Sequence, residues 1–225
     1  MKQRLTVLRL ILMTLSITLF SSALYSEPPN LGLLHKVVID YHDSGLYQQE
    51  IANKIEQAQQ FILKQVALNQ KNKHPRQLAL ILDIDETSLS NYDKMVQRNF
   101  TGNKEQIHKE ILAANDPVIQ PTLALYKEAI IHGVKVFFVT GRKESEREAT
   151  EKNLINAGYS NWSGLYMRPD NYALPSIIPF KSQTRAMISK QGYTIIAAIG
   201  DQYSDFRGGY TLKGFKLPNP YYYLP

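Results

Sequence analysis

The sequence predicts an α/β fold, a three-layer, mainly parallel sheet with a small helical elaboration. Three observations predict it. Short continuous apolar runs recur along the chain, stretches with helical periodicity separate them, and each run ends in a polar cluster. Continuous apolar runs suit strands buried on both faces, as in parallel sheets. Strands alternating with helices imply crossover connections.

The chain opens on a leader. Lys2, Arg4 and Arg9 give a positive start, residues 10–20 are mostly apolar, and Ser21, Ser22 and Ala23 are small. That is the layout of a secretory signal peptide over residues 1–26, cleaved after Ala23 or Ser26. The apolar stretch is short for a membrane span and no basic stop-transfer cluster follows it. The expected mature chain, residues 27–225, is therefore a single domain, secreted or periplasmic, with no stable membrane anchor.

Glu27-Pro28-Pro29-Asn30 reads as an extended start, and a helical region follows. Ile51, Ile55, Ala58, Ile62 and Val66 lie at spacings of four, three, four and four, which puts them on one helical face. Residues 71–77 are polar and read as a linker. The apolar runs are residues 78–82, 134–139 and 193–199. Between them, residues 122–132 place Leu123, Tyr126, Ala129 and Ile130 on one face and stop at Gly133, and residues 144–157 stop at Gly158. Ser182 is expected to cap a helix ending before Gly192. Residues 92–120 form a helical insert expected to cover the site, with Tyr92 at its mouth.

Composition narrows the chemistry. The formal charge is +6, and removal of Lys2, Arg4 and Arg9 lowers it to +3. The basic residues are scattered, so no nucleic-acid polymer is expected as a partner. The chain has no cysteine, which excludes disulfides, thiolate metal sites and a cysteine nucleophile. The five histidines show no metal-ligand spacing and read as surface or partly buried residues. The Tyr221-Tyr222-Tyr223 run reads as core packing of a C-terminal segment.

The first run ends in Asp83-Ile84-Asp85-Glu86-Thr87, the second in Thr140-Gly141-Arg142, and the third in Gly200-Asp201. Ligands of open α/β sheets bind outside the carboxyl ends of the strands, so these clusters should meet at one edge. Asp83 and Asp85 repel each other unless a cation or proton intervenes. With Asp201 they suit a hard cation with oxygen ligands, of the magnesium type. Thr140 offers a hydroxyl and Lys181 a positive charge to a phosphoryl group. A carboxylate can serve as nucleophile, and a second as general acid and base.

Asp83-x-Asp85-x-Thr87, Thr140, Lys181 and Gly200-Asp201-x-x-x-Asp205 resemble the four ordered motifs of the haloacid dehalogenase-like phosphatases. The closer likeness is to their acid phosphatase branch, the bacterial class C or subfamily IIIB enzymes and the related plant vegetative storage proteins. It rests on Asp83-Ile84-Asp85-Glu86-Thr87-Ser88-Leu89-Ser90-Asn91, Phe180-Lys181-Ser182-Gln183-Thr184-Arg185, Gly200-Asp201-Gln202-Tyr203-Ser204-Asp205-Phe206 and Leu217-Pro218-Asn219-Pro220-Tyr221-Tyr222. It covers about residues 30–223.

The resemblance implies a Rossmann-like core, Mg2+, and a small phosphomonoester as substrate, 5′-nucleotides among the candidates, at acidic pH. It implies Asp83 as nucleophile and metal ligand. Asp85 becomes the general acid and base, with its main-chain carbonyl on the metal, and Asp201 a further ligand. Thr140, Gly141 and Lys181 would hold the phosphate, and Asp205 would orient Lys181 or a water on the metal. Thr87 reads mainly as a structural hydroxyl, and Arg142 as either a substrate contact or a charge at the helix start. Relatives often carry Asn where Gly141 stands. Two other readings stay open, a non-catalytic secreted storage or binding protein and a phosphotransferase. Retention of Asp83, which some plant storage relatives lack, favours an enzyme.

Overall fold

A computed structural model describes residues 27–224. The leader read over residues 1–26 lies outside the described residues. The described residues fall into two units that divide between Val37 and Val38. Residues 27–30 have no regular secondary structure and lead into helix α1 (Leu31–Asp43), within which the division falls. The Asn30 side chain accepts from the N–H groups of Gly32 and Leu33 at 3.0 and 3.3 Å, which satisfies two donors at the helix start.

The second unit holds helix α2 (Leu46–Gln70) and a five-stranded sheet. Tyr47, Ile51, Ile55, Ala58, Ile62 and Val66 of α2 are buried, the stripe that the periodicity predicts with one more turn at its start. The strands are β1 (Gln77–Leu82), β2 (Lys135–Lys143), β3 (Gly164–Arg168), β4 (Tyr193–Gly200) and β5 (Lys213–Lys216). Their order is β3-β2-β1-β4-β5, and each neighbouring pair is parallel.

Alternation along the strands divides the core into two layers, because successive side chains leave opposite faces of a strand. Leu80, Leu82, Val136 and Phe138 face the layer of α2 and of helices α5 (Gln120–Ile131) and α6 (Arg147–Asn156). Ala79, Ile81, Phe137, Val139, Ile195 and Ala198 face helix α7 (Ile178–Lys190). A register shift between Ala79 and Leu80 turns both Ile196 and Ala197 of β4 to the first face. The result is the predicted three-layer, mainly parallel α/β arrangement. Helices α3 (Tyr92–Gln97) and α4 (Lys104–Leu112) interrupt the crossover from β1 to β2. Among the described residues, no helix is long and apolar enough to cross a membrane.

Three sequence expectations change. Strand β2 continues through Thr140, Gly141 and Arg142 to Lys143 instead of ending at Val139, although its register with β3 shifts between Thr140 and Lys143. Ser182 does not cap α7: the helix starts at Ile178 with a proline in its first turn. Proline there removes a donor that would have lacked a partner anyway, and Ser182 Oγ instead donates to the Pro179 carbonyl at 3.2 Å. Lys181 therefore lies inside the first turn of the helix, not before it.

Candidate active site

The carboxyl ends of β1, β2 and β4 share one edge of the sheet. Asp83 follows β1, and its N–H donates to the Ile199 carbonyl of β4 at 3.0 Å. The chain then turns tightly: the N–H groups of Thr87, Ser88 and Leu89 all point to the Ile84 carbonyl, at 3.2, 2.8 and 2.9 Å. Glu86 takes a left-handed backbone, φ 51°, a conformation unfavourable by about 1–3 kcal/mol outside glycine. Its buried carboxylate accepts from the Asn91 N–H at 2.6 Å and from the Tyr222 hydroxyl at 3.2 Å. Those bonds hold the turn.

Two groups of buried charge flank this turn. The first gathers Asp83, Asp201 and Asp205, with one carboxylate oxygen of each within 4.8 Å of the others. Lys181 Nζ donates to Asp83 Oδ1 at 2.9 Å and to Asp205 Oδ1. Asp205 Oδ2 accepts from the Gln202 N–H at 2.8 Å. Asp201 accepts from Gln202 Nε2 at 2.7 Å, Asn219 Nδ2 at 2.5 Å and Thr87 Oγ1 at 3.4 Å. A Cβ on Gly200 would sit 1.9 Å from Asp205 Oδ2, so only glycine lets that carboxylate fold back over the strand end.

Three carboxylates against one ammonium leave an excess of negative charge in a buried place. Burial pushes the Asp83 carboxyl well above its ordinary value, against the pull of Lys181 and aided by Asp205, Asp201 and Asp85. Burial and then Asp205 push Asp201 up to about 6. Burial would lower the Lys181 ammonium, but Asp205 and Asp83 raise it. An all-oxygen donor set short of positive charge fits a hard divalent cation.

The second group is built on Arg142, which is buried. Its Nε donates to Asp85 Oδ1 and Oδ2 at 3.1 and 3.2 Å, and its Nη2 to Asp85 Oδ1 at 2.7 Å and to Asp116 Oδ2 at 3.0 Å. Burial alone would raise the Asp85 carboxyl. The charge and hydrogen bonds of Arg142, with a bond from Asn91 Nδ2, hold it below the usual range instead. Arg142 thus neither extends into solvent at the helix start nor stands free for a substrate: two carboxylates engage it.

Of the sequence-predicted residues, Asp83, Thr87, Lys181, Asp201 and Asp205 come together by hydrogen bonds or in the carboxylate cluster. The Asp85 carboxylate belongs to the second group. Thr140 is buried among the last residues of β2, where its Oγ1 accepts from the Arg142 N–H at 3.1 Å. Gly141 follows it, and a Cβ there would meet nothing within 4 Å. Lys190, an alternative to Lys181 in sequence, is exposed at the far end of α7. Tyr92 is buried, with its ring stacked on His42 at 3.3 Å between centroids and its hydroxyl on Asp43. With His42, Tyr47 and Val118 it lines a cavity of about 400 Å³.

Sequence reasoning missed Glu86, Asn91, Asp116, Gln202, Asn219 and Tyr222. Glu86, Asn91, Gln202, Asn219 and Tyr222 stand in the fragments that carry the resemblance, beside or near residues already assigned. Asp116 has no motif around it.

The chain belongs to the HAD superfamily, subfamily IIIB (acid phosphatase), whose pattern matches residues 33–225. Its fold is that of the class C acid phosphatase from Bacillus anthracis, with a TM-score of 0.69 at 20% identity over 86% of each chain. Among plant relatives, the stem 28 kDa glycoprotein of Glycine max is 35% identical over 161 residues, 67% of this chain and 61% of that protein. Acid phosphatase 1 of Solanum lycopersicum is 34% identical over 148 residues, 64% of this chain and 58% of that one. The chain thus spans about six tenths of the length of these plant relatives.

Proposed function

We propose that the chain is a secreted or periplasmic, Mg2+-dependent acid phosphatase that hydrolyses small phosphomonoesters, 5′-nucleotides among them, through an aspartyl-phosphate on Asp83. One observation carries the reading: the buried Asp83 carboxylate sits 2.9 Å from the Lys181 ammonium in a cluster with Asp201 and Asp205, beside Asp85 on Arg142. Asp83, Asp201 and the main-chain carbonyl of Asp85 would hold the metal. A magnesium ion bound there supplies positive charge to the carboxylates and to the phosphoryl oxygens.

Asp83 attacks phosphorus, and the ester P–O bond breaks. Asp85 gives its proton to the departing oxygen, which leaves as an alcohol. Asp85 then takes a proton from water as that water attacks the aspartyl-phosphate, freeing inorganic phosphate and regenerating both carboxyls. Lys181 and the Thr140 hydroxyl steady the phosphoryl oxygens, and Asp205 keeps Lys181 in place. Arg142 holds the metal-free Asp85 carboxyl below the usual carboxylate range, so the acidic optimum rests on the family and not on this contact. The leader over residues 1–26 supports export.

The test is phosphate release from p-nitrophenyl phosphate, with and without Mg2+, beside Asp83→Asn. Mg2+-dependent turnover that vanishes in the variant is the expected result. Equal turnover in the variant removes Asp83 as nucleophile. Absence of turnover in the folded wild type, from acid to neutral pH and across a nucleotide panel, favours a non-catalytic storage role. Transfer to an added alcohol in excess of phosphate release would make it a phosphotransferase.

A further inference from the structure

Asp116 has no place in the reaction just described, yet its carboxylate is wholly buried and sits between two cations. Its side chain is 0% exposed, and Arg142, which it contacts, is 1% exposed. Buried carboxylates with two ion-pair partners are rare and need a reason.

The contacts supply one. Arg142 reaches Asp85 through Nε and Nη2, a forked contact that fixes two planar groups against each other. A fork sets the Asp85 rotamer only if the guanidinium cannot swing. Asp116 Oδ2 stops it by accepting from Nη2 at 3.0 Å, and Thr150 Oγ1 meets Nη1 at 3.4 Å. Asp116 is in turn fixed on every side. Its N–H donates to Asn153 Oδ1 at 2.9 Å and its carbonyl accepts from Asn153 Nδ2 at 2.8 Å. Its Oδ1 accepts from Lys94 Nζ, which also donates to the Glu110 carbonyl at 2.8 Å. The chain of contacts runs from α3 and α6 to the Asp85 carboxylate.

The same contacts divide the two oxygens of Asp85. Oδ1 accepts from Arg142 Nε, Arg142 Nη2 and Asn91 Nδ2, whereas among the described residues Oδ2 accepts a hydrogen bond from Arg142 Nε alone, at 3.2 Å. The Asp85 side chain keeps 26% exposure. The less engaged oxygen is therefore the one free to carry a proton.

We infer that Asp116, acting through Arg142, is a positioning residue that aims Asp85 Oδ2 at the leaving-group oxygen. The inference rests on Asp85 being the general acid. In that step the proton leaves Asp85 Oδ2 for the ester oxygen as the P–O bond breaks, and Asp85 is left as a carboxylate. A displaced acid harms esters of weakly acidic alcohols most, because their alkoxides cannot depart unprotonated. Esters of acidic phenols need the proton less.

The experiment compares kcat/KM for β-glycerol phosphate and p-nitrophenyl phosphate in wild type, Asp116→Asn, Arg142→Lys and Asp85→Asn, with folding checked by circular dichroism. Asp116→Asn keeps the shape and removes the charge. Arg142→Lys keeps the charge and removes the fork. Both should lower activity on the alkyl ester about 10–100-fold more than on the aryl ester, part of the ~10²–10⁴-fold that a positioned general acid contributes. In the Asp85→Asn background, neither should change the ratio further. A general loss of rigidity would reduce both activities in parallel. An unchanged ratio in folded Asp116→Asn or Arg142→Lys, beside a shifted ratio in Asp85→Asn, overturns the positioning role alone. An unchanged ratio in Asp85→Asn instead overturns the general-acid reading, and this inference with it.

Discussion

The two buried charge groups beside the Asp83–Leu89 turn are built on opposite plans. One sets Asp83, Asp201 and Asp205 against Lys181 alone. The other sets Asp85 and Asp116 against Arg142 and Lys94, two charges of each sign. The balanced group is complete within the chain, so its expected work is to hold the Asp85 carboxylate in place. The unbalanced group lacks positive charge, and burial makes that shortage costly. Such a group is stable when something cationic joins it, which is what a binding site requires. Charge balance, more than the presence of acids, separates the group that orients a side chain from the group with room for a cation.

The sharpest way to break this comparison is to neutralise one member of each group. Asp83→Asn should lower kcat by about 10⁴-fold or more, the scale on which a covalent nucleophile acts. Because it relieves an excess of negative charge, it should also raise the melting temperature of metal-free protein, a separation of activity from stability. Arg142→Met should do the reverse to stability. It leaves Lys94 on Asp116 and takes the cation from Asp85, and breaking a buried pair costs about 3–5 kcal/mol. Chemical denaturation of both variants in EDTA checks the opposite signs. A stability loss of similar size in Asp83→Asn would show that the first group is as complete as the second.

A smaller effect follows from proton linkage. Asp201 is pushed up to about 6 by burial and Asp205, while an unfolded aspartate titrates near about 3.9. Between these values the metal-free folded state binds more protons than the unfolded one, so its stability falls as pH rises from about 4 through 6 and then levels. The loss is on the order of 2–3 kcal/mol. Mg2+ competes with the same protons, so it should restore stability above pH 6 and bind progressively more weakly below it. Thermal melts across pH, with EDTA or Mg2+, measure both, and subtracting the Asp201→Asn profile isolates the group. A pH profile identical in Asp201→Asn would remove Asp201 as the source.

The sequence disclosed the parts of the molecule that repeat a pattern. β1, β2 and β4 are continuous apolar runs because they lie inside the sheet, and the α2 stripe recurs with the helical period. β3 and β5 were not legible. They are edge strands whose burial alternates or nearly vanishes, Gly164–Arg168 and Lys213–Lys216, so neither makes a run. The ordered motifs located the first charge group because each lies at a strand end or in the first turn of a helix. Of the second group only Asp85 and Arg142 were legible, since both stand in the motifs, and their pairing with Asp116 was not. Arg142 meets Asp116 across 26 positions and Asp85 across 57, and no local spacing connects them. Tyr222 reaches Glu86 across 136 positions, again by topology alone.

The smallest expected effect tests whether the candidate site tolerates change where the structure leaves room. Gly141 and Gly200 both sit at the carboxyl ends of strands, and composition alone does not tell them apart. At Gly200 an added Cβ meets Asp205 Oδ2 at 1.9 Å. Gly200→Ala must therefore expel the carboxylate that holds Lys181, and overpacking of this kind costs about 1–3 kcal/mol. At Gly141 the added carbon meets nothing within 4 Å and the backbone lies outside the glycine-only region. Gly141→Ala also keeps the main-chain N–H that would face a phosphate. Its stability should change by less than about 0.5 kcal/mol, and kcat/KM by no more than about threefold. Steady-state kinetics on p-nitrophenyl phosphate, run with melts of both variants, reads the contrast. A large loss in Gly141→Ala with a normal melt would mean that substrate itself fills the space above Gly141, making that residue a steric boundary of the phosphate site.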